Sequence, residues 1–466
     1  MKKFSVLILI ALVLTVAVVP SSAQDGGTVE IPGLVFPDQI AEGRQVTITV
    51  DRMPAESDPE KLEMYSAQLE RFQELYPNVE VEGLAYAYTP ESFPPLVAAG
   101  NVPTITTVYF TEPVLMKSFG VPEDLTPFFD EYGLEGVYAD YALDIVTIDD
   151  EIIGMPGLVY TIGIVFNIDM LDDYDYYDPP QTWDELAEMA QVMTDRENGQ
   201  FGFSFVTAGG RESGWHFTNI AYGFGATPDD LVRQNEDGTF TATFGEGVAV
   251  EAMQYIHDLR WEYDVLPYDS YGLESMEEGM ATGRIAMIMH GGGSIGSLYN
   301  QYPDIDMEAF GFTAVPEGPE GRRSLIGGDF AMIDSAATDD EKEAAFVYNM
   351  WRRLAPGEVV SGIQLYNNEL GLPDLPFLAS EYWDQVLVAS EPLVELPSDN
   401  YFWWFDILDY NELTLVPEPY SLIAQDYYAT LGDVVTIVLT DEDVDVAALM
   451  KEAESNFQTG ILDPMQ

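Results

Sequence analysis

The sequence predicts an α/β protein of two lobes, each a mixed and mainly parallel sheet flanked by helices. Three observations carry that prediction. Short β-branched and apolar runs alternate with helices that announce their own starts, the pattern of layered α/β folds. The chain has 466 residues; with an apolar leader set aside, about 440 remain, enough for two compact cores. Finally, the run "IIGMPGLVYTIGIVFN", Ile152 to Asn167, reads as two apolar strands meeting at a polar and aromatic pair, Tyr160-Thr161.

The elements follow in order. Met1-Lys2-Lys3, an apolar run from Phe4 to Val19 and the small residues Ser21 and Ala23 have the form of a secretory signal, expected to be cut after Ala23, with an uncleaved anchor as the alternative. The sequence contains no cysteine, so neither a disulfide nor a lipid-anchored cysteine is expected, and the product is expected free in the periplasm or outside the cell. Residues 24–44, with Gly and Pro interspersed, are expected to be a flexible lead-in. A first strand is expected over Gln45–Val50. Ser57-Asp58-Pro59 then starts a helix whose face is Leu62, Tyr65, Leu69, Phe72 and Leu75. Further strands are expected at Thr104–Phe110, Ile162–Phe166, Arg284–Met289 and Phe330–Ile333. Met155-Pro156-Gly157 is expected to end the first half of the apolar run. Thr182-Trp183-Asp184-Glu185 and Thr338-Asp339-Asp340-Glu341 are capping boxes. The second leads a helix with Ala344, Val347, Trp351 and Leu354 on its inner face, and Asp445 caps a last helix over Val446–Phe457. Trp183 and Trp351, beside other apolar residues, are expected in the core.

Composition excludes some partners. With 81 acidic against 18 basic residues the formal charge is −63, a surface that repels nucleic acid and anionic lipid. Catalytic patterns also fail. Gly292-Gly293-Ser294-Ile295-Gly296 matches a nucleophile elbow, but His216, His257 and His290 all precede Ser294, against the order such a triad needs. Asp441, Asp443, Asp445 and Glu452 have calcium-loop spacing, yet Val446 stands where that loop turns on glycine. No zinc pattern or phosphate loop appears, and 81 acids leave no basis for choosing a catalytic carboxylate pair. No catalytic residue, metal site or cofactor is expected, and the chain is read as a non-enzyme.

Seven stretches taken in order resemble one family: "LERFQELYPNVEVE", "LVAAGNVPTITTVYF", "DEIIGMPGLVYTIGIVFNIDML", "PPQTWDELAEMAQVMT", "MATGRIAMIMHGGGSIGSL", "FGFTAVPEGPEGRRSLIGGDFAMI" and "TDDEKEAAFVYNMW". The family is the extracellular solute-binding proteins of ATP-binding cassette importers, in the branch that includes maltose- and other sugar-binding proteins. The resemblance runs from about Val46 to Asn349, with an echo in "VDVAALMKEAESNF". Thr104 departs from the aspartate usual in the second stretch.

The resemblance implies a two-lobed, type II-like periplasmic-binding-protein fold with several hinge crossings. The crossings would lie near Val159–Thr161, Gly328–Phe330 and Gly371–Pro373. The first lobe would then hold residues 45–160 and 330–371, and the second 161–329 and 372–466. A monomer would capture a small polar solute, most simply a sugar, in the cleft and pass it to membrane permease subunits. By the same resemblance the cleft residues are Arg52, Tyr109, Glu112, Tyr160, Trp215 with Arg211 and Glu212 close by, and Asp329. Where relatives often carry a tryptophan, Gly293 or Ser294 stands, so Trp403 or Trp404 of Tyr401–Phe405 is expected to supply the missing ring. At least half of that aromatic cluster is expected to pack internally. A cationic solute held by Glu112, Glu212 and Asp329 is the alternative, and a secreted hydrolase using Ser294 the more distant one.

Overall fold

A computed structural model describes residues 29–302, 304–366, 375–390, 398–420 and 422–465. The signal expected over residues 1–23 and the crossing expected at 371–373 lie outside them.

Among the described residues nine strands form one continuous sheet. β1 (Val46–Val50) lies between β2 (Val79–Gly83) and β3 (Ile105–Tyr109) and is parallel to both. β4 (Met155–Asn167) is thirteen residues long. β5 (Phe201–Ser204), β6 (Ile285–Gly291), β7 (Phe310–Ala314), β8 (Arg322–Ile333) and β9 (Leu413–Val416) follow. The path is β2-β1-β3-β8-β4-β6-β5, with β7 also on β4 and β9 also on β8.

Two long strands carry the chain between lobes. β8 pairs antiparallel with β3 from Asp329 to Ile333, and with β4 through Ile326↔Thr161, Gly327↔Tyr160 and Gly328↔Val159. Beyond that point β4 pairs with β6 and β7 instead. Val159 packs into one hydrophobic core and Ile162 into another. The sheet is mixed because these two strands run against their neighbours β3, β6 and β7; β1–β2, β1–β3, β5–β6 and β8–β9 are parallel.

Met155-Pro156-Gly157 does not end a strand, contrary to expectation. Pro156 sits opposite a register shift between Asp329 and Phe330, where a missing ladder N–H is tolerated. Gly157 is closely approached: a Cβ there would lie 1.8 Å from Nη1 of Arg353, so a larger residue would have to displace that guanidinium.

Helices cover the sheet. α1 (Pro59–Leu75) is capped by Asp58, which accepts from the Lys61 N–H at 3.1 Å. α2 (Pro113–Ser118) follows β3, and α3 (Trp183–Met193) is capped by Thr182. Glu185 reaches the N–H of Gln181 at 2.8 Å rather than that of Thr182, so that box is shifted by one residue. α4 (Gly210–Gly223), α5 (Val248–Trp261), α6 (Leu273–Ala281) and α7 (Ser294–Gln301) belong to the part beyond the first crossing. α8 (Asp339–Leu354) has the complete capping box of Thr338 and Glu341. α9 (Ser380–Ser390), α10 (Phe402–Asp409), α11 (Ala424–Thr440) and α12 (Val446–Phe457) complete the set used below, the last capped by Asp445 at 3.0 Å. Trp183 and Trp351 are both core. Among the described residues no helix is long and apolar enough to cross a membrane.

The lead-in and residues 375–390 pack against neighbours that the sequence did not suggest. The described part of the lead-in is packed: Val29, Ile31, Ile40 and Ala41 are buried, and the Val35 N–H donates to the Tyr132 carbonyl at 3.1 Å. Its apolar side chains find a groove that its Gly and Pro content did not suggest. Residues 375–390 pack against residues 137–139, where the Ala139 N–H donates to the Phe377 carbonyl at 3.0 Å and the Ala379 N–H to that of Val137 at 2.9 Å, in the core that holds Val137 and Tyr138. Trp383 of α9 joins the same core.

Candidate functional site

Strand directions bring chain ends together at the crossing. β1 and β3 both run toward it and release Asp51-Arg52 and Tyr109 to Glu112 there. β6 arrives from the other lobe, with Gly291 opposite Ile162. β9 arrives with Val416 opposite Leu325, so Pro417-Glu418 stands level with Ile326-Gly327.

The first lobe supplies ionic and aromatic groups. Arg52 Nη1 lies 2.5 Å from Asp329 Oδ2, and the Leu158 N–H donates to Asp329 Oδ1 at 3.2 Å. Asp51 accepts from the Thr107 N–H at 2.8 Å, and burial pushes its carboxyl up to about 6. Tyr109 is 39% exposed, its ring edge-on to Tyr88 at 5.3 Å. Glu112 is buried, and burial raises its pKa above the ordinary carboxylate range.

The crossing supplies Tyr160, half-buried and packed over Gly327, where a Cβ would sit 2.8 Å from the ring. Its ring meets Trp215 of α4 at 6.1 Å, tilted by 72°. Trp215 Nε1 donates to Glu418 Oε1 at 3.3 Å, and Tyr428 of α11 donates to Glu418 Oε2. Burial pushes Glu418 up to about 8; the Tyr428 and Trp215 donors pull it down, and Glu112 pushes it further up. Polar bonds join the two sides: Gln425 Nε2 of α11 to Glu112 Oε1 at 3.1 Å, and Arg211 Nη1 to Glu91 Oε1 at 2.5 Å.

Gly293 immediately precedes α7 beside the end of β6. Near it Ser297 and Gln301 donate to Glu277, each at 2.9 Å. Burial pushes the imidazole of His290 down to about 4 and that of His216 to about 3. Ser294 Oγ is buried without a hydrogen-bond partner among the described residues, while His290 Nδ1 accepts from the Gly291 N–H at 2.8 Å. The nucleophile–base contact of a hydrolase is therefore not made. Among the described residues no three His, Asp or Glu are grouped to hold a metal ion.

Arg52, Tyr109, Glu112, Tyr160, Trp215, Gly293 and Asp329 thus lie around the crossing. Trp403 and Trp404 do not. Trp404 is 2% exposed and packs on Phe312 at 5.1 Å. Trp403 meets Phe166 edge-on at 5.1 Å and donates to Asp178 at 3.2 Å. Phe166 lies six residues beyond Tyr160 on β4, roughly 20 Å along an extended strand. The cause is α10, which lays Trp404 on Phe312 of β7 and Trp403 on Phe166 of β4. Glu212 is exposed on α4.

Sequence reasoning missed Glu418, Gln425, Tyr428 and Glu91. Only Glu418 left a signal, a single carboxylate framed by Pro417 and Pro419 directly after a short apolar strand.

Comparison with known proteins agrees with this architecture. The chain is 22% identical over 343 residues to a maltotriose-binding protein of Pyrococcus abyssi, covering 72% of this chain and 68% of that one. It is 24% identical over 201 residues to a probable ABC transporter-binding protein of Deinococcus radiodurans, covering 43% of this chain and about half, 47%, of that relative. Its fold superposes on maltose-bound MalE3 of T. maritima with a TM-score of 0.69 at 21% identity, covering 89% of this chain and all of the other. The sequence pattern of the bacterial extracellular solute-binding proteins matches residues 57–348, which contain the crossing and most of the groups around it, and the chain belongs to that family.

Proposed function

We propose that the chain captures a sugar or short oligosaccharide at the strand crossing and delivers it to the membrane permease of an ATP-binding cassette importer. It would act as a monomer outside the cytoplasm, without a lipid anchor and without a catalytic step. The observation that carries this reading is the meeting of Tyr160 and Trp215 with polar groups from both lobes. Aromatic rings cover the C–H faces of a sugar while carboxyl, amide and guanidinium groups satisfy its hydroxyls. The names of a maltotriose-binding relative and a maltose-bound structural neighbour point the same way.

The proposed first lobe comprises residues 29–160, 328–366 and 375–390, and the second 161–302, 304–327, 398–420 and 422–465. Closure would pivot on Val159–Thr161 and Ile326–Gly328, driven by a solute that contacts both lobes and so favours the closed state. The carboxyls of Glu112 and Glu418 favour a second reading, an amine cation between aromatic walls.

A thermal-shift screen separates these readings. Stabilisation by maltose or maltotriose supports the first and stabilisation by polyamines the second. Turnover of an ester or glycoside with no stabilising solute would refute both. Trp215→Ala is expected to weaken saccharide binding about 30-fold, roughly 2 kcal/mol, as loss of a central aromatic contact does. Its ligand-free melting temperature should stay near that of the parent.

A further inference from the structure

Glu418 reaches the cleft by the construction of the sheet. β9 follows β8 in parallel until Val416 faces Leu325, and the chain leaves the sheet beside the residues that pair with Tyr160 and Thr161. Tyr222 donates to the Pro417 carbonyl at 3.0 Å, tying down that exit. Both carboxyl oxygens are then held, one by Trp215 and the other by Tyr428.

The surroundings contain acids and phenols. Tyr222 comes from α4, Tyr427 and Tyr428 from α11, and Glu112 faces Glu418 from the other lobe. Arg323 of β8 acts on Tyr222. No basic side chain among the described residues offsets Glu418 itself. Arg52 is engaged by Asp329 and Arg211 by Glu91. An ionised Glu418 thus has two neutral donors, and a solute that fills the cleft closes off what solvent still reaches of this half-buried residue.

We infer that Glu418 is a specificity-determining residue that meets the solute as a neutral carboxylic acid, so that the cleft selects an uncharged hydroxylated molecule and loses affinity for it when the carboxyl ionises. This rests on the sugar reading above. Burial already moves the ligand-free carboxyl up to about 8, and displacement of water by a neutral solute moves the bound one higher. Below the ligand-free value both states carry the proton and affinity is level. Between the two values only the bound state keeps it, and the dissociation constant rises up to about tenfold per pH unit.

The test is isothermal titration of the full chain with maltotriose, which has no group ionising in this range, from about pH 6 to about pH 9.5, spanning the ligand-free transition. The expected Kd is level on the acid side and rises through the alkaline side. Glu418→Gln is expected to give a Kd that no longer moves with pH. Tyr428→Phe removes a donor that favours the carboxylate, so its transition should move to higher pH, which keeps the test open if the first variant does not fold. A parent Kd that is flat or falls with rising pH, while maltotriose still binds, overturns the inference and leaves the sugar reading standing. If no saccharide binds at any pH and putrescine binds more tightly as the pH rises, the sugar reading fails and the inference with it.

Discussion

Trp215 and Glu418 illustrate how single side chains set the chemistry of the crossing, and His216 and His290 how the same region responds to acid. The two imidazoles ordinarily titrate near 6.5 but are held down to about 3 and about 4 by burial. Between those values the unfolded chain binds protons that the folded one refuses. Their contribution to stability is therefore intact above pH 6.5 and is lost as the pH falls toward 3. Glu418 acts in the opposite sense, because its folded value of about 8 lies above the ordinary 4.5. Its contribution is full below pH 4.5 and is lost as the pH rises through about 8. Ligand-free Glu418→Gln is thus expected to melt above the parent near pH 9 and not near pH 4.5, where both side chains are neutral. His290→Gln is expected to flatten the acid side of the same curve. Melting temperature against pH for the three proteins checks both, and parallel curves would show that these groups titrate alike in the folded and unfolded chains.

At the scale of elements, the α4–α11 contact decides whether Trp215 and Tyr428 can share Glu418. The helices approach backbone to backbone: a Cβ on Gly214 would lie 1.9 Å from the Tyr428 carbonyl oxygen, and one on Gly432 1.8 Å from that of Gly210. Backbone cannot rotate away as a side chain can. Gly214→Ala is expected to cost about 1–3 kcal/mol or somewhat more, read by urea unfolding. It should also weaken saccharide binding by moving the Trp215 indole from Glu418. Such contacts are invisible in one sequence because they join residues more than 200 positions apart, whereas the capping devices at Asp58, Thr338 and Asp445 are local and were legible. The same division explains the errors. Met155-Pro156-Gly157 has the composition of a stop, yet a bulge on β8 accommodates it. Tyr401–Phe405 has the composition of a binding wall, yet α10 turns Trp404 onto Phe312. Tyr109 at the end of β3, and Tyr160 and Asp329 inside β4 and β8, were legible because ordered stretches contain them, and Arg52 because it follows the first β-branched run. Glu418 and Gln425 were not, since they lie beyond the last of the seven stretches.

The whole molecule joins two lobes through paired strands and a few polar bonds while carrying a formal charge of −63. That charge resides mainly in exposed carboxylates, with 81 acids against 18 bases, and compacting it costs free energy through self-repulsion. Salt shortens the reach of that repulsion, the Debye length falling from about 30 Å at 0.01 M to about 3 Å at 1 M. It also weakens favourable pairs such as Arg211–Glu91, but exposed pairs of that kind contribute only about 0–1 kcal/mol each. Repulsion should dominate the balance. The ligand-free melting temperature is expected to rise as potassium chloride is added, by roughly 2–4 °C for each kcal/mol of repulsion screened. Chloride is the appropriate anion, because sulfate stabilises folded chains by exclusion from their surface whatever their charge. The gain should be largest near neutral pH and shrink toward pH 4, where the exposed acids begin to take up protons. A melting temperature that falls with chloride would mean that the acidic side chains are already neutralised by paired neighbours, and that the lobes are held chiefly by their ion pairs.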